Sequence, residues 1–311
     1  MESTIRIDSV NISKEKGTRK IPVDFIELTN AGISGDLHHG KGHRQVSMLG
    51  TERIAAFAEE KNREIGFGDF AENLTVSGMA LDQVRVFDTF KNESVTLEIT
   101  QTGKKCDGKL QVIDNETGDC LMSEEGVYLR VIRGGRLKPG DMLQHLRKIF
   151  RIMVITVSDR ASAGIYEDKS GPRIRMLCDE FFRKNNREIF LQGEIIPDDR
   201  ERISGHVKKA ATDKFDIIFT TGGTGIGPRD ITPEAIRPLL DKEIPGIMEM
   251  IRIKYGMEKP NALLSRSIAG VIGTSLIYTL PGSEKAVLEY TEEIFKTINH
   301  SMMMLHGIGD H

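Results

Sequence analysis

Cysteine is scarce in this chain of 311 residues: Cys106, Cys120 and Cys178 are its only thiols, and no two of them form a C-x-x-C pair. Three cysteines cannot build a disulfide framework, and without such a pair there is no sign of a zinc cage. Long apolar runs are also missing. None approaches 18 residues, which excludes a membrane-crossing helix as an expectation. The opening Met-Glu-Ser-Thr-Ile-Arg lacks the basic-then-apolar layout of a signal peptide, so a reducing, cytoplasmic location is expected. No excess of positive charge exists either. Net charge is −3 and both signs are spread evenly over the two halves, so composition offers no basic face for nucleic acid. Of eight histidines only His38, His39 and His43 cluster, without acidic or cysteine partners at metal-ligand spacing. What is present, 39% hydrophobic and 29% charged residues, is ordinary for a globular protein long enough for two domains.

The two halves follow different patterns. Up to about Leu146, strand-sized segments alternate with Gly and Asp: Ile5–Ile12, Gln45–Leu49, Leu74–Val76, Val84–Phe87, Val95–Thr100, Gln111–Ile113 and Tyr128–Val131. This spacing predicts a β-rich barrel, interrupted by one helix over Thr51–Asn62. From Phe150 onward, strands and helices alternate. Strands are predicted at Ile152–Val157, Ile189–Ile196, Phe215–Thr220, Ala269–Ile272 and Leu276–Leu280. Helices are predicted at Pro172–Lys184, Arg200–Thr212, after Pro233 and from Ser283 to about Leu305. That alternation implies a mostly parallel, doubly wound α/β sheet covered on both faces. The division is placed between residues 1–147 and 148–311. Ligands of such sheets sit beyond the carboxyl ends of the strands.

Those strand ends are where the polar residues gather. The apolar run Phe215–Phe219 leads into Gly222, Gly223, Thr224, Gly225 and Gly227, then Arg229 and Asp230, with Pro233 opening a helix. Glycines allow successive backbone N–H groups to turn toward one point, and a helix N-terminus adds partial positive charge there. The loop is neither a Walker A sequence nor a G-x-G-x-x-G fingerprint. Asp230 would repel a bare phosphate, so its place beside the loop points to a bridging divalent cation. Ser158 and Asp159 follow the first strand, Asp198 and Asp199 the second, and Gly282 and Ser283 the last. Each has a plain alternative: Asp198, Asp199 or Ser283 as a helix N-cap, Ser158 as turn chemistry. Their convergence on one sheet edge is what suggests a site.

The segments Val157-Ser-Asp-Arg-Ala-Ser-Ala-Gly164, Asp168-Lys-Ser-Gly-Pro172, Thr220-Thr-Gly-Gly-Thr-Gly225, Arg229-Asp-Ile-Thr-Pro-Glu-Ala235, Glu243-Ile-Pro-Gly246, Leu264-Ser-Arg-Ser267 and Leu280-Pro-Gly-Ser283 resemble the molybdopterin adenylyltransferase family. That family includes the bacterial MogA and MoaB proteins and the G domains of gephyrin and its plant counterpart. The resemblance covers essentially residues 150–311. It implies a trimer that adenylylates molybdopterin with Mg-ATP, before molybdenum insertion. The family's two important aspartates match Asp230 and, in Ile196-Pro-Asp-Asp199, Asp198, with Asp199 adjacent. Both are expected to hold Mg²⁺ and to be catalytic. Ser158, Asp159, Gly222, Gly223, Thr224, Gly225, Gly282 and Ser283 are expected to bind nucleotide or pterin. A carrier that binds molybdopterin or its cofactor without turnover is the competing reading.

Residues 5–146 resemble the MOSC domain, the β-barrel module of molybdenum cofactor sulfurases. The resemblance rests on Val10-Asn-Ile-Ser-Lys14, Gly32-Ile-Ser-Gly-Asp-Leu-His-His-Gly40, His43-Arg-Gln-Val-Ser-Met48, Gly68-Asp-Phe-Ala-Glu-Asn-Leu74, Gly118-Asp-Cys-Leu-Met-Ser-Glu-Glu-Gly-Val-Tyr128 and Arg130-Val-Ile-Arg-Gly-Gly135. It implies an exposed cysteine that carries sulfur or meets the metal of the cofactor. Cys106 is the candidate, since Lys104 and Lys105 beside it favour the thiolate. A second cysteine expected nearby is replaced by Lys109-Leu110. Cys120 and Cys178 read as core. Lys41, Arg44 and Arg130 are candidates for the cofactor's phosphate. Other cofactor-biosynthesis proteins or target molybdoenzymes are the partners such a protein would meet.

Overall fold

In the computed structural model, residues 3–15, 18–40, 42–103 and 121–309 are described. They fall into two units, Met1–Lys148 and Ile149–His311. The first begins with β1 (Ser3–Ile12), whose alternation sends Ile5, Ile7 and Val10 into one core. A β-bulge between Ile7 and Ser9 shifts the register, which is why the inward set changes from odd to even positions. Among the described residues ten further strands follow: β2 (Ile21–Val23), β3 (Ile26–Thr29), β4 (Gly32–Ile33), β5 (Val46–Gly50), β6 (Leu74–Ser77), β7 (Thr89–Lys91), β8 (Thr96–Thr102), β9 (Val127–Arg133), β10 (Gly135–Leu137) and β11 (Met142–Leu146).

Around the main sheet run β1, β6, β5, β9, β8, β7 and β11, and β11 pairs back onto β1, so seven strands close a barrel with β2 appended. Strands β10, β3 and β4 make a small second sheet. Helix α1 (Thr51–Glu60) buries Ile54 and Phe57 against Phe70, Leu121 and Met122. It stops short of the predicted Asn62, which adopts a left-handed φ of 48°. The expected strand at Val84–Phe87 is not one. A single 3₁₀ turn at Leu81–Gln83 precedes it, and Phe87 has a φ of 76°, which a strand cannot contain. Gln111–Ile113 lies outside the described residues.

Inside this unit a charged cluster is fully buried. Lys20 Nζ donates to Asp36 Oδ2 at 2.9 Å, and Asp36 also accepts from the amides of Ser13 and His38 and from Asn73 Nδ2. Glu72 accepts from the Gly68 amide and Thr75 Oγ1 through one oxygen, while Oε2 has no hydrogen-bond partner among the described residues. Burial holds the Glu72 carboxyl above its ordinary value.

After a short helix α2 (Leu121–Glu124) in the first unit, the remaining helices belong to the second: α3 (Asp159–Ser162), α4 (Ser170–Lys184), α5 (Arg200–Thr212), α6 (Thr232–Ile236), α7 (Pro245–Glu258) and α8 (Glu284–Leu305). Its sheet runs β13 (Glu188–Ile196), β12 (Ile149–Val157), β14 (Ile217–Thr221), β17 (Ser275–Leu280), β16 (Ala269–Ile272), β15 (Lys242–Glu243). The first three pairings are parallel; β16 turns back as a hairpin on β17, and β15 is antiparallel to β16. The sheet is therefore mostly parallel, with an antiparallel flank that the β/α alternation did not suggest. Its central strands are apolar on both faces because each face is covered. Met153, Ile155 and Ile218 pack with Ile203 and Val207 of α5, while α4 and α8 pack on each other, with Phe181 stacked on Phe295 at 4.4 Å between ring centres. Cys178 is completely buried in α4, and burial pushes its thiol well up.

Candidate active site in the C-terminal unit

Register brings the strand ends together. Val157 pairs with Ile196, and Thr221 pairs with both Thr156 and Leu280. The segments starting at Ser158, Pro197, Gly222 and Pro281 therefore leave the sheet along one edge. There they line a cleft of about 880 Å³. Ser158, Asp198, Gly222, Gly223, Thr224, Gly225, Asp230, Gly282 and Ser283 all line it.

The glycine loop is held from behind by its carbonyls. Gly222 O accepts from Thr232 Oγ1 at 2.9 Å and Gly223 O from the Thr232 amide at 3.0 Å. Thr224 O accepts from the Arg266 amide, and the Arg266 guanidinium donates to Gly225 O at 2.6 Å and to Asp230 O. The amides are another matter. Gly222 N is spent on Leu280 O, but no hydrogen bond to the amides of Gly223, Thr224 or Gly225 is found among the described residues. Backbone N–H groups in folded proteins are nearly always paired, so three successive donors left free in a cleft form an arc with the chemistry to accept an anion. Glycine is required where the loop leaves the strand. Gly222 has a φ of 103°, and a Cβ there would lie 2.2 Å from Val157 O.

Carboxylates flank the arc. The Asp159 amide donates to Asp198 Oδ2 at 2.8 Å, and the Asp198 amide returns a bond to Asp159 Oδ1 at 3.0 Å. Asp199 turns away and caps α5 by accepting from the Arg202 amide at 2.9 Å. Of the adjacent pair, Asp198 thus faces the cleft and Asp199 serves the helix. Asp230 Oδ2 accepts from the Gly227 amide at 2.8 Å. Asp198 Oδ1 and Asp230 Oδ1 accept no hydrogen bond among the described residues, and a Cβ on Gly223 would stand 3.2 Å from Asp198 Oδ1. Burial and the charges of Asp159 and Asp230 hold the Asp198 carboxyl above its ordinary value, against the Asp159 amide and Arg229. Arg229 bridges the group through Asp159 Oδ2 at 3.0 Å and Asp198 O at 3.1 Å.

Asp159 sits one step behind the cleft, as the partner of Asp198 and Arg229. Ser158 and Ser283 both act as N-caps, accepting from the amides of Ala161 and Ala286. Their hydroxyls therefore fix helix starts at the cleft wall. Arg266 and Thr232 were not singled out from sequence, although both lie inside quoted motifs, and Arg229, named there beside Asp230, was given no role. Asp168, bonded to Thr156 Oγ1 and the Gly171 amide, shapes the cleft in the same way. Of the barrel's candidates, Arg130 is tied to Glu98 at 2.8 Å on the neighbouring strand, and Arg44 is half-buried in the segment before β5. Cys106, Cys120 and Lys41 lie outside the described residues. Among the described residues no group of three or more His, Cys, Asp or Glu side chains is arranged to hold a metal, and no helix is long and apolar enough to cross a membrane.

Residues 153–300 match the family model of a probable molybdopterin binding domain, and residues 35–144 match the MOSC domain. The molybdopterin adenylyltransferase of Helicobacter pylori is 40% identical over 157 residues, which is 50% of this chain and 88% of that enzyme. The chain belongs to the MogA/MoaB family. It carries an N-terminal MOSC domain ahead of the family's own domain. Larger relatives exist: gephyrin of Dictyostelium discoideum is 38% identical over 160 residues, 50% of this chain but 22% of its own length. The Drosophila melanogaster molybdenum cofactor synthesis protein cinnamon is matched over 25% of its length, at 40% identity. The chain thus spans about a quarter of these two relatives. Among solved structures, the molybdopterin biosynthesis enzyme MoaB of Thermus thermophilus is 37% identical, with a TM-score of 0.47, over 51% of this chain and 98% of that one.

Proposed function

We propose that the C-terminal unit transfers the adenylyl group of ATP to the terminal phosphate of molybdopterin. One observation carries the reading: three unpartnered loop amides and two carboxylates, each with a free oxygen, face the same cleft. A phosphate oxygen of the pterin attacks the α-phosphorus of ATP, the bond to the β-phosphate oxygen breaks, and pyrophosphate leaves. Nucleophile and target are both anionic, so positioning and neutralisation dominate over proton abstraction. In this scheme the amides of Gly223, Thr224 and Gly225 orient phosphate oxygens. The Asp159–Asp198 exchange of hydrogen bonds and Arg229 keep Asp198 aimed at them. A carrier would have no use for carboxylates set against a phosphate cradle.

Asp198 and Asp230 fit Mg²⁺: both offer hard oxygen donors, and an ion that keeps waters and shares its sphere with phosphates needs only one or two carboxylates. When bound, Mg²⁺ supplies charge neutralisation on the leaving group. We infer further that the MOSC unit binds or sulfur-modifies the same cofactor, with Cys106, Lys41, Arg44 and Arg130 as candidates, and that the protein works as a cytoplasmic trimer. The test is Asp230→Ala. Adenylyl transfer, followed as pyrophosphate release, is expected to vanish while molybdopterin binding persists; wild-type turnover in this variant would overturn the assignment.

A further inference from the structure

Two lysines of the cleft have no part in the scheme above. Lys259 follows α7 and Lys285 is the second residue of α8, and both line the cleft. Lys285 lies one helical turn before Glu289 on α8, and Lys259 is bonded to Glu289, so the two lysines share one side of the cleft; the neighbouring Lys259 holds Lys285 below its ordinary value. Lys285 has no salt bridge among the described residues. Elsewhere on α8 the outcome is different. Lys254 and Lys296 share Glu293, with both ammonium groups in contact at 2.6 and 2.8 Å. At the cleft Glu289 contacts Lys259 alone among the described residues, while Glu289 and Glu258 act on Lys285 only through their charge. Lys285 also lies in the first turn of a 22-residue helix, where the free amides add positive potential. A hydroxyl chain, Tyr290 Oη to Ser265 Oγ at 2.8 Å, borders the same space.

We propose that Lys259 and Lys285 form a phosphate-binding subsite of the cleft, and that Glu289 holds Lys259 in place until the anion arrives. The proposal rests on the reading that this cleft handles phosphates. Its ligand is either the β,γ-diphosphate of ATP, leaving as pyrophosphate, or the monophosphate of the pterin. A phosphate group settling between the two ammonium groups would relieve their repulsion and displace Glu289, at a strength that falls with added salt.

Calorimetric titration of the full chain with inorganic pyrophosphate, and separately with inorganic phosphate, tests it without turnover. Lys285→Ala should weaken binding about tenfold, as for loss of one charged hydrogen-bond donor, and Lys285→Arg should retain it. Glu289→Gln should tighten binding several-fold by freeing Lys259, which a purely structural ion pair would not do. An effect confined to pyrophosphate assigns the leaving group; an equal effect on both anions assigns the monophosphate. Failure of the wild type to bind either anion, or unchanged affinity in Lys285→Ala, or no tightening in Glu289→Gln, overturns the proposal. Turnover measured in parallel keeps the two readings apart, since anion binding can survive loss of the adenylyl-transfer assignment and the reverse.

Discussion

Replacing Gly222 by alanine tests whether loop position, and not merely loop presence, makes the site. The residue sits at a φ of 103°, where an L side chain costs about 1–3 kcal/mol. The larger effect is steric. The new Cβ would lie 2.2 Å from Val157 O, and contacts under 3.0 Å are not tolerated. Val157 ends β12, paired with Ile196 of β13, and Thr156 just before it is paired with Thr221 of β14, so the strand resists displacement. The loop must move by about 0.8 Å, the gap between those distances. A misplacement near 1 Å at a reacting centre costs roughly 100-fold in rate. Gly222→Ala should therefore lower kcat for pyrophosphate release about 100-fold, with a lower melting midpoint. Gly273→Ala is the control. Gly273 has a φ of 57° in the β16–β17 turn, but a methyl group there would meet no atom within 4 Å, so the change should cost about 1–2 kcal/mol and leave the rate unchanged. Wild-type kcat in Gly222→Ala, or an equal rate loss in Gly273→Ala, would refute the reasoning.

Two expectations concern the barrel. Lys20→Met strands the Asp36 charge in a site where both side chains are almost wholly buried, at a cost of about 3–5 kcal/mol; hydrogen exchange should show protection lost in peptides from residues 3–103 and kept in those from residues 149–309. Burial opposes ionisation of Asp36, but the His38 hydrogen bond and the Lys20 charge prevail and hold its carboxyl well below the usual carboxylate range. Its stabilisation is complete above the unfolded carboxyl value of about 4 and is lost as pH falls through the lower folded value. The barrel's melting midpoint should therefore drop on acidification below about pH 4, and Asp36→Asn should flatten that part of the profile.

Much of the site was legible because its chemistry is local. The glycines, Asp230 and the helix-opening Pro233 are contiguous, and an apolar run before them fixes where the strand ends. The parallel sheet was legible from its β/α alternation; the antiparallel β16–β17 pair breaks that alternation, although its two-residue link Gly273-Thr274 is too short for a parallel crossover and fits only a hairpin. Within Asp198-Asp199, residue type alone could not say which carboxylate caps α5; only the path of the chain leaving β13 decides it. Lys259, just after α7, and Lys285, in α8, are 26 positions apart, so nothing in their spacing announces that they share a cleft. In the barrel, β2, β3, β4, β7 and β10 are two to four residues long, too short for a period to register.

The central claim is catalytic adenylyl transfer at this cleft. Incubating the purified chain with molybdopterin, Mg²⁺ and ATP labelled at the α-phosphate tests it most directly. The account predicts label on the pterin with one pyrophosphate released for each label transferred. Binding of pterin and nucleotide with no labelled pterin formed would contradict it and leave a carrier in its place.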